Sequence, residues 1–191
     1  MNLTGYPSID KPWLKYYSEE AIHAPLPECT VWENIYERNK DHLTDTALLY
    51  FGKKISYGKL FSEIDRTAKA LTSLGVKNGD NVAICMPAVP EAIYAILALN
   101  KLGANAGMLN PTFNETQLTD RVNEMEAKVL VVVNELYATM QNVIPKTSIK
   151  YVVTCPAVNS LGAFVRLTKK VKPIPGTLSW NTFIRQGQGV S

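Results

Sequence analysis

The sequence predicts an α/β fold: a mostly parallel sheet flanked by helices, with a β-hairpin and an extended N-terminal arm ahead of it. Two observations carry this. From Tyr57 onward, helical patterns alternate with short apolar runs, "NVAIC", "ANAGML", "AKVLVVV" and "IKYVVTC". Strands of a parallel sheet are covered on both faces and read as such continuous runs, and helices between them build right-handed βαβ units. The second observation is punctuation: glycine, asparagine or a capping residue stands between neighbouring elements.

The elements follow in order. Residues 1–28 carry Pro7, Pro12, Pro25 and Pro27 among several aromatics, and read as an extended arm lying over a surface. Thr30 caps a helix, and Glu33 three residues on completes a capping box; Trp32, Ile35 and Tyr36 form its apolar stripe. "TALLYFGKKISY" places apolar residues on both sides of "GKK", which predicts a hairpin with a glycine turn. Ser56 caps the next helix, where Tyr57, Leu60, Phe61, Ile64, Ala68, Leu71 and Leu74 recur at three and four. Gly75 ends it.

Pro90 opens a helix at the one position where its missing N–H costs nothing. That helix, Pro90 to Leu102, is apolar nearly all round and so should be deeply buried. Gly103 stops it. Asn114 caps the following helix with Gln117 in the capping-box position and Leu118, Val122 and Met125 as its stripe. Asn134 opens another helix through Leu136, Met140 and Val143. After Cys155 the alternation breaks. Leu161, Phe164, Leu167 and Val171 fall on one side of a helical wheel and Arg166, Lys169 and Lys170 on the other. Such a segment, 158–172, either packs on its own domain or lies on an anionic membrane surface.

At 191 residues, 46% hydrophobic and 19% charged, the chain suits one core-bearing domain and excludes disorder. The net charge of +3 gives no ground for a nucleic-acid partner. Its distribution is uneven: residues 157–191 hold five basic side chains and no acidic one, leaving the rest slightly acidic. Cys29, Cys85 and Cys155 form no paired motif and read as reduced thiols, the last two within strands. A catalytic cysteine would need a histidine, and His23 and His42 both lie in the polar N-terminal region. The start "MNLTGYPSIDKPW" has neither the basic nor the apolar part of a secretory signal, and the longest apolar run, Ala92 to Leu99, is too short to span a bilayer. A cytoplasmic protein is the expectation.

No residue is assigned a catalytic, cofactor-binding or metal-ligating role by motif. The sequence has no GxGxxG, no P-loop, no HExxH and no metal-ligand cluster. "ALNKLGANAGMLNP", Ala98 to Pro111, has the look of a phosphate loop but runs from helix into strand. Anions favour helix N-termini, so Gly103 and Gly107 read as packing glycines. Glu19–Glu20 and Glu124–Glu126 read as solvated carboxylates, and Asp80 as turn chemistry.

Four stretches then carry a resemblance: "SYGKL" (Ser56–Leu60), "LGVKNGDNVAICMPAVPE" (Leu74–Glu91), "NKLGANAGMLNP" (Asn100–Pro111) and "AKVLVVV" (Ala127–Val133). In this order and spacing they resemble the N-terminal part of the adenylate-forming, AMP-binding superfamily of acyl-CoA synthetases, peptide-synthetase adenylation domains and luciferases. The resemblance covers Thr30 to Cys155. "DKPWLKYY" (Asp10–Tyr17) and the basic stretch before "LSWNTFIRQG" resemble the bacterial long-chain fatty-acid:CoA ligases.

The resemblance implies an ATP-dependent ligase that adenylates a fatty acid, with Mg²⁺, and then transfers it to CoA. It also implies a departure. The family's Ser/Thr/Gly-rich loop ending in Pro-Lys-Gly, its ribose-binding aspartate and its catalytic lysine match nothing here. The expectation is therefore a single truncated α/β domain, with 1–28 as arm, 30–155 as core and 156–191 as basic insertion and tail. It lacks the downstream ATP-binding and C-terminal domains and is itself inactive. The same resemblance makes the arm, with Trp13, Tyr16 and Tyr17, a candidate homodimer element. An aryl or amino acid is the alternative substrate. From other classes, a stand-alone flavodoxin-like or receiver-like module would want acidic strand ends, which "CMP" and "VVV" do not supply, and a membrane-surface module would rest on 158–172.

Overall fold

The computed structural model describes residues 4–161 and 172–189. Three short or medium helices come first: α1 (Pro7–Asp10), α2 (Glu19–His23) and α3 (Val31–Asn39). The hairpin β1 (Thr46–Tyr50) and β2 (Lys53–Ser56) follows, then α4 (Tyr57–Ser73), β3 (Asn81–Cys85), α5 (Pro90–Lys101), β4 (Asn105–Met108), α6 (Glu115–Glu124), β5 (Val129–Val133), α7 (Tyr137–Met140) and β6 (Tyr151–Cys155). A two-residue strand β7 (Leu178–Ser179) and a helix α8 (Trp180–Gln186) complete the described chain. Strands β3 to β7 form one parallel sheet in the order β4-β3-β5-β6-β7.

The strand pattern has a physical reading. Val82 and Ile84 of β3, with Val129, Val131 and Val133 of β5, face a core shared with α3, α4, α5 and α8. The alternate residues Ala83, Cys85, Leu130 and Val132 face a second core under α6 and α7. Side chains alternate across a strand, so a run with no polar member must be covered on both faces.

The caps expected from sequence are in place. Thr30 Oγ1 accepts from the Glu33 N–H and Glu33 returns a bond to the Thr30 N–H at 2.7 Å. Asn114 and Gln117 make the same reciprocal pair, and Ser56 accepts from the Lys59 N–H. Gly75 and Gly103 both end their helices with positive φ. In each case the glycine N–H and the next N–H turn back onto the last helical carbonyls (Gly75 to Thr72, Val76 to Leu71; Gly103 to Asn100, Ala104 to Leu99).

Four expectations need correction. The arm is not extended: residues 7–23 are a string of short helical turns, because the prolines open turns (Pro7 and Pro12 start helical segments) and Asp10 accepts the Thr4 and Gly5 N–H groups. The hairpin turn is Phe51–Gly52 rather than "GKK". Both residues have positive φ, as a two-residue turn between twisted strands requires, and Lys53 already pairs with Tyr50. The helix from Asn134 is broken into a 3₁₀ turn, α7 and a second 3₁₀ turn at Ile144–Lys146, where Pro145 sits.

Finally, 156–191 is not wholly insertion and tail. Leu178–Ser179 adds a strand beside β6, and Trp180, Phe183 and Ile184 enter the main core. Gly187 lies so close to α4 that a Cβ there would stand 2.5 Å from the Ala70 backbone nitrogen. Residues 162–171 of the amphipathic stretch lie outside the described residues.

Candidate functional site

The sheet order places a candidate site. From β3 the chain crosses to β4 on one side, then returns to β5 on the other, so the winding direction reverses beside β3. In open α/β sheets ligands settle outside the carboxyl ends of the strands at such a reversal. The loops meeting there are Met86–Val89, Leu109–Asn114, the turn at Asn134 and the turn after β6.

A cavity of about 460 Å³ opens next to this edge. Its walls are the hairpin, the first half of α4, the start of α5, the turn after β6 and Trp180. Two acidic side chains line it, and both are buried: Glu63 is 7% exposed and Glu91 is 2%. Glu63 Oε1 accepts from Lys59 at 2.6 Å and Arg66 at 2.8 Å. Glu91 Oε1 accepts from Asn159 Nδ2 and Ser160 Oγ, each at 2.6 Å. Its Oε2 is buried without a hydrogen-bond partner among the described residues.

The turn after β6 is gripped from three sides. Besides Glu91, Tyr50 Oη donates to the Ala157 carbonyl at 3.2 Å and Lys53 Nζ to the Ser160 carbonyl at 3.0 Å, while Glu135 accepts from the Ala157 N–H. Tyr94, one turn along α5 from Glu91, has its phenol pushed up by burial and then by the charges of Glu91 and Glu63.

The residues weighed from sequence fall elsewhere. Cys85 and Cys155 are buried and burial raises both thiols, so neither is an activated nucleophile; Cys29 is exposed. His23 pairs with Glu19, and His42 with Asp45, on the surface. Glu124 is likewise exposed beside Arg121. Asp80 accepts from the Lys77 N–H across a turn. Gly107 is a packing glycine, since a Cβ there would stand 2.0 Å from Met125 Sδ. Among the described residues no three His, Cys, Asp or Glu side chains gather as metal ligands, and no helix is long and apolar enough to cross a membrane. Sequence reasoning passed over both cavity carboxylates, Glu63 and, more deeply buried, Glu91. The signal for Glu91 was a lone charge in the first turn of a helix apolar over most of its length.

A parallel sheet covered on both faces, with a crevice at its carboxyl edge, defines an open α/β fold. The chain belongs to the AMP-binding enzyme family, whose model matches residues 35–174. It is 31% identical to acetyl-coenzyme A synthetase 1 of Candida albicans over 131 residues, 68% of this chain and 19% of that one. It is 27% identical to the acetyl-coenzyme A synthetase of Helicobacter acinonychis, across 91% of this chain and 28% of that one. The chain thus spans under a third of the length of these relatives. Among solved structures, an anthranilate CoA ligase in complex with anthranoyl-AMP superposes with a TM-score of 0.71 at 23% identity, over 84% of this chain and 29% of the other. Acetoacetyl-CoA synthetase from Streptomyces lividans superposes with a TM-score of 0.65 at 23% identity, over 80% of this chain and 24% of that one. These superpositions establish the fold.

Proposed function

We propose that this chain is the N-terminal scaffold of an ATP-dependent carboxylate:CoA ligase. The observation that carries the reading is the family match over residues 35–174, together with relatives whose names share CoA ligation of a carboxylic acid. In this reading the whole protein joins a carboxylate to the α-phosphate of ATP, releasing pyrophosphate, and the CoA thiol then displaces AMP. The described residues offer neither a phosphate loop nor a metal-ligand cluster, so no step of that chemistry is placed on them. Their part is to form the sheet against which the rest of the site is built.

For the acid we propose a fatty acid, on the strength of the Asp10–Tyr17 stretch and the basic segment before Leu178. A short-chain acid is the second reading, favoured by the acetyl-coenzyme A synthetases among the relatives. Self-association through the arm and contact of 158–172 with an anionic membrane belong to the same proposal. The exposed Tyr16, Tyr17 and Trp13 support the first.

Pyrophosphate exchange by the protein at its natural length, run with palmitate, acetate and benzoate in turn, tests the reading. Exchange with palmitate is expected; exchange with acetate alone selects the second reading, and none with any acid overturns both. Residues 1–191 alone are expected to show no exchange.

A further inference from the structure

The tip of the β1–β2 hairpin holds an aromatic ring where the backbone does not favour one. Phe51 opens the Phe51–Gly52 turn with φ of 46°, and it is 83% exposed. Asparagine or glycine makes such a turn most easily, and a bulky side chain there is strained. The contact it makes, edge to face with Tyr50 at 4.8 Å between ring centroids, leaves most of the residue in water. Backbone strain held at a surface points to a use for the side chain that causes it.

The rest of the hairpin narrows that use. Side chains alternate along a strand, so Leu48 and Tyr50 pack toward the main core while Leu49 and its cross-strand partner Lys54 share the outer face. Leu49 is 69% exposed and Lys54 is exposed beside it. Lys53 adds a second positive charge next to the turn, and between Asp45 and Glu63 the chain has no acidic side chain. The base of the hairpin is fixed, because Tyr50 Oη and Lys53 Nζ hold the Ala157 and Ser160 carbonyls. Two exposed apolar side chains at a turn, flanked by lysines and free of carboxylates, match a surface that is apolar beneath and negative on top. An anionic bilayer is such a surface: lysine stems lie along its apolar boundary and their ammonium groups meet its headgroups.

We propose that the hairpin tip docks on an anionic lipid surface, with Phe51 and Leu49 entering the boundary between headgroups and acyl chains and Lys54 meeting the headgroups. So small an apolar insert gives reversible contact rather than an anchor. The proposal rests on the hairpin alone. It is distinct from the contact proposed for 158–172, and either can fail without the other.

The test is co-sedimentation of the protein at its natural length with vesicles of phosphatidylcholine, pure or mixed with phosphatidylserine. Binding to the mixed vesicles is expected, about tenfold weaker for Phe51→Asn and for Leu49→Thr and about fivefold weaker for Lys54→Gln. Phe51→Asn should also melt higher than the parent, because asparagine takes the positive φ more readily. Replacing Arg166, Lys169 and Lys170 by glutamine probes the 158–172 contact separately. If that replacement abolishes binding while the three hairpin variants bind as the parent does, the hairpin proposal is overturned and the other stands. No binding to mixed vesicles, or equal binding to pure phosphatidylcholine, would overturn it too. So would a lower melting temperature for Phe51→Asn, the mark of a ring that serves the hairpin's own packing.

Discussion

Cys29, Cys85 and Cys155 differ only in where the fold puts them. Cys85 and Cys155 are 1% and 0% exposed at the ends of β3 and β6, and burial raises both thiols. Cys29 sits exposed ahead of the Thr30 cap. A thiol-reactive disulfide reagent at neutral pH should therefore label one cysteine in the native chain and three after unfolding in urea, because both access and thiolate are denied to the other two. Fast labelling of two or three thiols in the native chain would contradict the burial. The strand setting of Cys85 and Cys155 was legible in their apolar flanks. The role of Glu91 was not, since its partners Asn159 and Ser160 lie nearly seventy residues away.

At the scale of elements, the helices are specified at their ends. The Thr30–Glu33 box satisfies two N–H groups that an α-helix cannot pair internally. Thr30→Ala should cost about 1 kcal/mol, measured by urea unfolding. The same box sets a pH dependence. The Glu33 carboxyl is held below its ordinary value of 4.5, first by the Thr30 backbone N–H and then by its hydroxyl. A folded value below the unfolded one means the contribution is full above pH 4.5 and is lost as pH falls through the lowered value. An NMR titration should place the Glu33 midpoint below 4.5, and Thr30→Ala should keep part of the depression, because the main donor is backbone. Caps of this kind are local, so α3, α4 and α6 were readable. The Phe51–Gly52 turn was not: Phe51 takes positive φ against its own preference, with only the hairpin's twist to demand it.

For the molecule as a whole, the decisive element is the last. Phe183 is fully buried and packs at a tilt against Trp180, ring centroids 5.5 Å apart, in the core shared by α4, β6 and α8. Phe183→Ala should cost about 3–5 kcal/mol in equilibrium unfolding. A loss under 1 kcal/mol, on the order of a surface substitution, would show that residues 178–186 do not belong to the core. This segment looked like a tail because its strand is two residues long and follows a basic stretch that breaks the alternation. Only the open edge of β6 gives so short a strand its place.

By itself, the sequence determined the α/β class, the caps, the order of helices and strands from Tyr57 to Cys155, and the family resemblance. Each of these is written in neighbouring residues, through periodicity, capping chemistry and glycine placement. The tertiary structure alone decided the strand order, the fifth strand, the seat of Gly187 on α4, and the cavity that Glu63 and Glu91 both line. Those depend on contacts between residues far apart in the chain, and a buried carboxylate looks like any other glutamate until the fold shows what surrounds it.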